Sequence, residues 1–249
     1  MPLVVAAFGP GVLWLWWFAH KAGRSEVSWP HLSALFVLGA LAAGLVLLFE
    51  STAVPAAETL LAGLSGPWSP VARAILGIGL VEETGKLTAV LLLICMLRRP
   101  SGPVQGVLWA VAAAVGFASV ENCLFLQRDG LAAVVLRGPV STFAHAAFSS
   151  VWGCALGMMI QTSGPRRMAT LAAGLLIAAL AHGTFNLIVL ASTTSLAAAP
   201  LVFLVIPLLL LLYHFVSRAL APHSERAQRA ESGKPSHLVL ANRFLSTRR

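Results

Sequence analysis

Seven long apolar runs account for most of this chain, and they limit the folds open to it more than any other feature. Each run approaches or exceeds the roughly 17–25 residues that a helix needs to cross a bilayer. The chain is 58% hydrophobic and only 10% charged, whereas a soluble domain has about 25% charged residues. The sequence therefore predicts an all-α, polytopic membrane helix bundle of about seven transmembrane helices. The runs lie at about residues 3–19, 31–49, 70–97, 104–127, 139–161, 168–191 and 199–220.

The lysine and arginine residues between the runs predict how the bundle is oriented. Thirteen of them follow runs 1, 3, 5 and 7, whereas the opposite side has only Arg128 and Arg137. Because positive charge marks the cytoplasmic side, we expect the N-terminus outside and the C-terminus in the cytoplasm. The first run has no basic stretch before it, which favours an uncleaved signal-anchor over a signal peptide. Glu50 and Glu58 are expected to be solvated in the outer loop, Glu50–Ser69.

The composition predicts one membrane domain, residues 1–220, followed by a basic tail, residues 221–249. The tail is poor in apolar residues, which is typical of disorder, and its charge suits a position near anionic lipid. The net charge of +8 is then mainly a signal of topology, so no nucleic-acid partner is expected. The three cysteines lie in three different runs without paired spacing, which predicts neither a disulfide framework nor a zinc finger.

Charged and polar residues interrupt four of the apolar runs, although each charge at a bilayer centre costs about 2.5–3.5 kcal/mol. With a rise of about 1.5 Å per residue, their carboxylates and imidazoles fall about 21–26 Å from the cytoplasmic ends of the runs. A shared depth on four successive helices predicts one site, with a core in residues 70–191. The candidates are Glu82, Glu83, Lys86, Glu121, Asn122, His145, His182 and Asn186.

The charges of this layer restrict its chemistry. Three carboxylates and one ammonium carry a formal charge of −2, and buried charges must pair, gain protons or bind a cation. Two histidines and a glutamate around Zn²⁺, with an open position for water, form a known hydrolytic arrangement. Without a metal, a glutamate oriented by a histidine can activate water, and a second histidine with an asparagine can hold the oxyanion. The residues therefore leave open whether the site has no cofactor or one divalent metal.

Four short motifs in this order resemble those of the PrsW family of bacterial intramembrane proteases. That family is similar in turn to the CAAX prenyl endopeptidases and to bacteriocin-immunity proteins. The resemblance covers about half of the chain, residues 70–191. The motifs are EETGK from Glu82 to Lys86, FASVEN from Phe117 to Asn122, HAAF from His145 to Phe148, and HGTFN from His182 to Asn186.

The resemblance implies hydrolysis of a peptide bond within a multi-pass protein of the bacterial cell membrane. Glu82 or Glu83 would activate the water, and His182 with Asn186 would bind the oxyanion. It further implies a membrane-anchored substrate, such as an anti-sigma factor, cut at its extracytoplasmic side. Besides the lipid bilayer, that substrate is the expected partner. The candidate metal ligands are Glu83, Glu121, His145 and His182.

Two other classes of membrane protein fit the same polar layer. A proton- or ion-coupled transporter also places acidic, basic and histidine residues near the middle of the membrane. Many transporters are built from repeated halves, but runs 3–6 hold the whole layer and no other part of the chain echoes them. A non-catalytic membrane scaffold with the same fold would be favoured if a motif residue were missing, and none is.

Overall fold

The computed structural model describes residues 2–60, 69–164, 166–194 and 203–220, and these residues form helices without any strand. A π-helical segment, Arg73–Leu80, joins α3 to α4, and a 3₁₀ turn, Arg24–Glu26, follows α1. The helices are α1 (Pro2–Ala22), α2 (Trp29–Leu60), α3 (Ser69–Ala72), α4 (Val81–Met96), α5 (Pro103–Gln161), α6 (Arg166–Thr194) and α7 (Val205–Leu220).

Four of these helices are long and apolar enough to cross a membrane, namely α1, α2, α5 and α6. This confirms the prediction of an all-α protein built on membrane-spanning helices. The number of about seven spans and the orientation of the termini stay predictions. The predicted tail, residues 221–249, lies outside the described residues, as do residues 61–68 of the predicted outer loop.

Helix α5 is a hairpin of two antiparallel arms. Its 59 residues would extend about 88 Å if straight, far more than the roughly 30 Å of a bilayer core. Gly130 interrupts it with φ +83° and ψ 176°, a conformation that suits a residue without Cβ. The arms then run back along each other and come into close contact at glycines. A Cβ on Gly106 would collide with Gly153, and one on Gly157 would collide with Gly102. The break agrees with the separate fourth and fifth apolar runs.

Glycines bring α6 against the π-helical segment just before the acidic pair of α4. A Cβ on Gly79 would lie 2.5 Å from the carbonyl oxygen of Ala179, and one on Gly183 would lie 2.6 Å from Ile75 Cα. Backbones approach this closely in membrane bundles where side chains are absent. The contact places His182, the residue before Gly183, beside the first turn of α4.

The structure corrects the predicted surroundings of Glu50. Helix α2 does not end at residue 49 but continues to Leu60, so Glu50 and Glu58 both lie within a helix rather than in a loop. The side chain of Glu50 is half-buried, and its Oε1 is buried. The prediction was wrong because a charged residue ends an apolar run without ending a helix, and glutamate and alanine both favour helix.

Candidate active site

Six of the eight predicted site residues come together between α4, both arms of α5, and α6. All six are buried or nearly so, and the most accessible is Glu121, whose side chain is 16% exposed. Helix α5 is central because α1, α2, α4, α6 and α7 all contact it. The six residues are Glu82, Glu83 and Lys86 on α4, Glu121 and His145 on α5, and His182 on α6.

Lys86 lies at the centre of the cluster and is fully buried. Its Nζ donates to Glu83 Oε1 at 2.8 Å and to Glu82 Oε2 at 3.2 Å. It also lies 2.9 Å from His145 Nδ1 and 4.5 Å from the centre of the Phe117 ring. An ammonium has three N–H donors, and here each has an acceptor. Lys86 therefore offsets part of the negative charge of the cluster.

Glu83 receives hydrogen bonds at both carboxylate oxygens. Its Oε1 accepts from Lys86 Nζ and lies 3.0 Å from His182 Nδ1. Its Oε2 accepts from Ser149 Oγ at 2.6 Å and from Trp152 Nε1 at 2.9 Å. Four donors hold this carboxylate in one orientation, and they compensate its burial.

Ser149 and Trp152 were not among the residues predicted for the site. Both are fully buried, and both lie on the second arm of α5 with His145. A signal for them is present in the sequence, because they follow His145 by four and seven residues and so share its helix face. A single serine or tryptophan in an apolar run does not by itself indicate a functional site, so the sequence did not identify these two residues.

The two ring nitrogens of His182 have different surroundings: Nδ1 is hydrogen-bonded to Glu83, whereas Nε2 has no hydrogen-bond partner among the described residues. Because Glu83 is the acceptor beside Nδ1, we assign the proton to Nδ1, which leaves a lone pair on Nε2 in the neutral ring. That Nε2 is buried, lies 3.6 Å from Glu82 Oε2, and has no hydrogen-bond partner among the described residues. The Phe148 ring stacks on the imidazole at 5.1 Å. A histidine oriented by a carboxylate in this way is typical of metal ligands and of catalytic imidazoles.

His145 connects the lysine to the third carboxylate. Its Nδ1 faces Lys86, whereas its Nε2 lies 3.0 Å from Glu121 Oε2. Glu121 Oε2 is buried and forms no well-aligned hydrogen bond within the part of the chain that the structure describes. His145 Nδ1 also lies 3.8 Å from Glu82 Oε2. Glu82 Oε2 is therefore the carboxylate oxygen that faces both imidazoles.

The arrangement fits one divalent metal ion. Glu82, His145 and His182 each offer a ligand atom, and these atoms lie within 4.8 Å of one another. Two imidazoles and a carboxylate suit zinc. Nε2 of His182 has no hydrogen-bond partner among the described residues, so its lone pair is available to bind a metal. The metal ligands predicted from the sequence were Glu83 and Glu121 with the two histidines, and that ligand set stays a prediction. The structure groups the histidines with Glu82 instead, because the oxygens of Glu83 already accept four hydrogen bonds.

The two predicted asparagines are placed differently. Asn122 is buried, and its Nδ2 donates to the carbonyl oxygen of Ala7 at 3.2 Å and to Thr142 Oγ1 at 3.1 Å. Its donors thus tie α1 to the second arm of α5 rather than serving the cluster. Asn186 is half-buried one turn beyond His182, the position expected of a residue that shares the histidine's face.

An apolar helical bundle that buries two histidines with several carboxylates has the groups that an intramembrane peptidase needs. The family model described as "PrsW family intramembrane metalloprotease" matches residues 27–212. The chain belongs to the PrsW family. The predicted resemblance and the predicted enzyme class are thereby confirmed, and the transporter alternative gives way to a peptidase.

Curated relatives with the name "Protease PrsW" agree with this assignment. The protein from Geobacillus kaustophilus is 27% identical over 189 residues, which cover 76% of this chain and 80% of that protein. The protein from Shouchella clausii is 31% identical over 119 residues, or 48% of this chain and 55% of that protein. The protein from Bacillus subtilis is 24% identical over 118 residues, or 47% and 54%. No solved structure matches the chain.

Proposed function

We propose that this peptidase hydrolyses a peptide bond of a membrane-anchored protein, with Glu82 as the central carboxylate. The observation that carries the proposal is the unequal surroundings of the two adjacent glutamates. Glu83 accepts four hydrogen bonds, whereas Glu82 Oε2 accepts one from Lys86 and faces both imidazoles. Glu82 is thus free to exchange a proton, and Glu83 is better suited to orienting its neighbours.

In a reaction without metal, Glu82 takes a proton from water, and the water oxygen attacks the carbonyl carbon of the peptide. In this route His182 has gained a second proton at Nε2, and this imidazolium, held by Glu83, donates from Nε2 to the oxygen that becomes negative. As the C–N bond breaks, Glu82 passes its proton to the leaving nitrogen, so that a carboxylic acid and an amine are formed. His145, which lies between Lys86 and Glu121, holds the Lys86 ammonium beside Glu82.

In a metal-dependent reaction, Glu82, His145 and His182 would hold the ion. Such an ion lowers the pKa of a bound water and polarises the scissile carbonyl. Lys86 Nζ would have to release Glu82 and His145, because it shares these acceptors. Glu121 would then take the water's proton, since its Oε2 is buried near His145 without a hydrogen bond among the described residues.

For the membrane arrangement, we propose seven spans in the cell membrane of a bacterium. They are α1, α2, the α3–π–α4 unit, the two arms of α5, α6 and α7, with the N-terminus outside. The site then lies in the outer half of the bilayer, about 21–26 Å from the cytoplasmic ends of the helices. Water reaches it by the shorter path from outside, so the cut should fall near the extracytoplasmic end of the substrate's span. The resemblance to the family supports an anti-sigma factor as the substrate.

The full-length protein, purified with its lipids, should cleave a single-pass membrane substrate whose fragments are mapped by mass spectrometry. Glu82→Gln should abolish cleavage, whereas Glu26→Gln, in the 3₁₀ turn after α1, should leave it intact. Metal analysis of both samples separates the two routes, because a metal-dependent enzyme should lose its ion in Glu82→Gln. Cleavage at the cytoplasmic end would contradict the proposed topology, and cleavage by Glu82→Gln at the normal rate would contradict the proposed role of this residue.

A further inference from the structure

Glu50 lies on the face of α2 that is directed toward the active site. One and two turns before it, Val46 and Ala43 are buried against Phe117 of α5. Val46 Cγ2 also lies 2.5 Å from the position of a Cβ on Gly85, which brings α2 against α4. Residues spaced by three or four share one helix face. Glu50 therefore continues the surface that packs against Phe117, the aromatic ring beneath Lys86.

The carboxyl group of Glu50 has one oxygen that is not satisfied among the described residues. Its Oε1 is buried and has no hydrogen-bond partner among the described residues. A buried acceptor without a donor costs free energy. Glu50 thus offers a hydrogen-bond acceptor beside the site that the described part of the chain leaves unused.

The remainder of the Glu50 side chain lies at the border of the bundle. The residue is half-buried, and its neighbours Leu48 and Phe49 are exposed on the outer surface of α2. On α4, Thr84 is exposed next to the buried acidic pair. In a membrane these surfaces face lipid, so the edge between α2 and α4 separates the bilayer from Glu82. A substrate helix that arrives from the bilayer can reach the site across this edge.

We propose that Glu50 is a substrate-binding residue whose Oε1 accepts a hydrogen bond from an N–H group of the substrate at the α2–α4 edge. The inference rests on the proposed function. The donor is either a backbone amide freed when the substrate helix unwinds before cleavage or the side chain of a substrate lysine or arginine.

The test compares Glu50→Leu and Glu50→Gln with wild type and with Glu26→Gln as the matched control. Glu50→Leu should raise KM about tenfold and leave kcat within about threefold, as expected when one hydrogen bond to the substrate is lost. Glu50→Gln keeps an acceptor oxygen but cannot ionise. If it behaves like wild type, the donor is a backbone amide. If it behaves like Glu50→Leu, and the loss disappears with a substrate lacking flanking lysine and arginine, the donor is a basic side chain.

A binding measurement makes the result independent of turnover. Uncleaved substrate should bind Glu82→Gln/Glu50→Leu about tenfold more weakly than Glu82→Gln alone. In a protein whose three cysteines are replaced by alanine, substrate should also slow the reaction of Glu50→Cys with a maleimide. An unchanged KM, a fall in kcat alone, or no protection of the cysteine would overturn the proposal. If wild type cleaves nothing while binding still depends on Glu50, the proposed function fails and the role of Glu50 stands.

Discussion

Trp152 donates its indole N–H to Glu83 Oε2 over 2.9 Å, although 69 positions separate the two residues in the chain. The indole is fully buried, as is the carboxylate. Together with Ser149 it occupies one oxygen of Glu83, while Lys86 and His182 occupy the other. Glu83 consequently links three helices, α4, α5 and α6, at the point where the chemistry is proposed to occur.

The different surroundings of Glu82 and Glu83 predict different effects of the same substitution. Glu82→Gln should reduce turnover by at least 10²-fold, the lower range for removing a catalytic acid or base, with a smaller loss of thermal stability than Glu83→Gln. Glu83→Gln should reduce turnover and destabilise the protein more, by about 3–5 kcal/mol, because Glu83 accepts four buried hydrogen bonds that include its ion pair with Lys86, whereas Glu82 accepts one from Lys86. Turnover and thermal unfolding of the two purified variants check this prediction. Equal loss of stability in both would contradict the division of roles.

Trp152→Phe should lower kcat without raising KM. The change removes one donor to Glu83 while keeping an aromatic ring, so Glu83 and the attached His182 lose orientation rather than substrate contacts. We expect a loss of about tenfold, the equivalent of one hydrogen bond to a charged group. Trp109→Phe is the matched control, because Trp109 is also buried on α5 but stacks on His31. Steady-state kinetics of both variants on one substrate check the prediction, and equal kinetics would argue against a positioning role for Trp152.

His182→Ala distinguishes the two proposed routes. Without metal, the variant should lose kcat by about 10²–10³-fold with little change in KM, because an oxyanion donor acts mainly in the transition state. With metal, it should lose bound metal together with activity. Turnover and metal content measured on the same preparation separate these outcomes. An unchanged kcat would exclude both roles.

Gly183→Ala should inactivate the enzyme by moving α6. The new Cβ would lie 2.6 Å from the backbone of Ile75, so α6 must shift and carry His182 away from Glu83. Gly44→Ala is the control, since a Cβ there meets nothing within 4 Å and should stabilise α2 by about 0.5–1 kcal/mol. Thermal unfolding and turnover of both variants check the prediction. A fully active Gly183→Ala would show that the close approach is not needed.

Hydropathy and charge in the sequence determined the helical membrane class, because a backbone within lipid must satisfy its own hydrogen bonds. The polar residues at one depth also indicated a single site, and the structure brings Glu82, Lys86 and His145 into contact from two helices. Depth follows from position along a helix, which sequence supplies directly at about 1.5 Å per residue.

Only the tertiary structure decided what surrounds each polar group. Glu82 and Glu83 are adjacent in the chain and equal in depth, but successive residues point about 100° apart around a helix. Packing of α5 and α6 therefore gives Glu83 the donors Ser149, Trp152 and His182 and leaves Glu82 facing the imidazoles. The same reason explains Glu50. The sequence placed it in a loop, and the helix face that it shares with Val46 becomes part of the site only when α2 packs against α4 and α5.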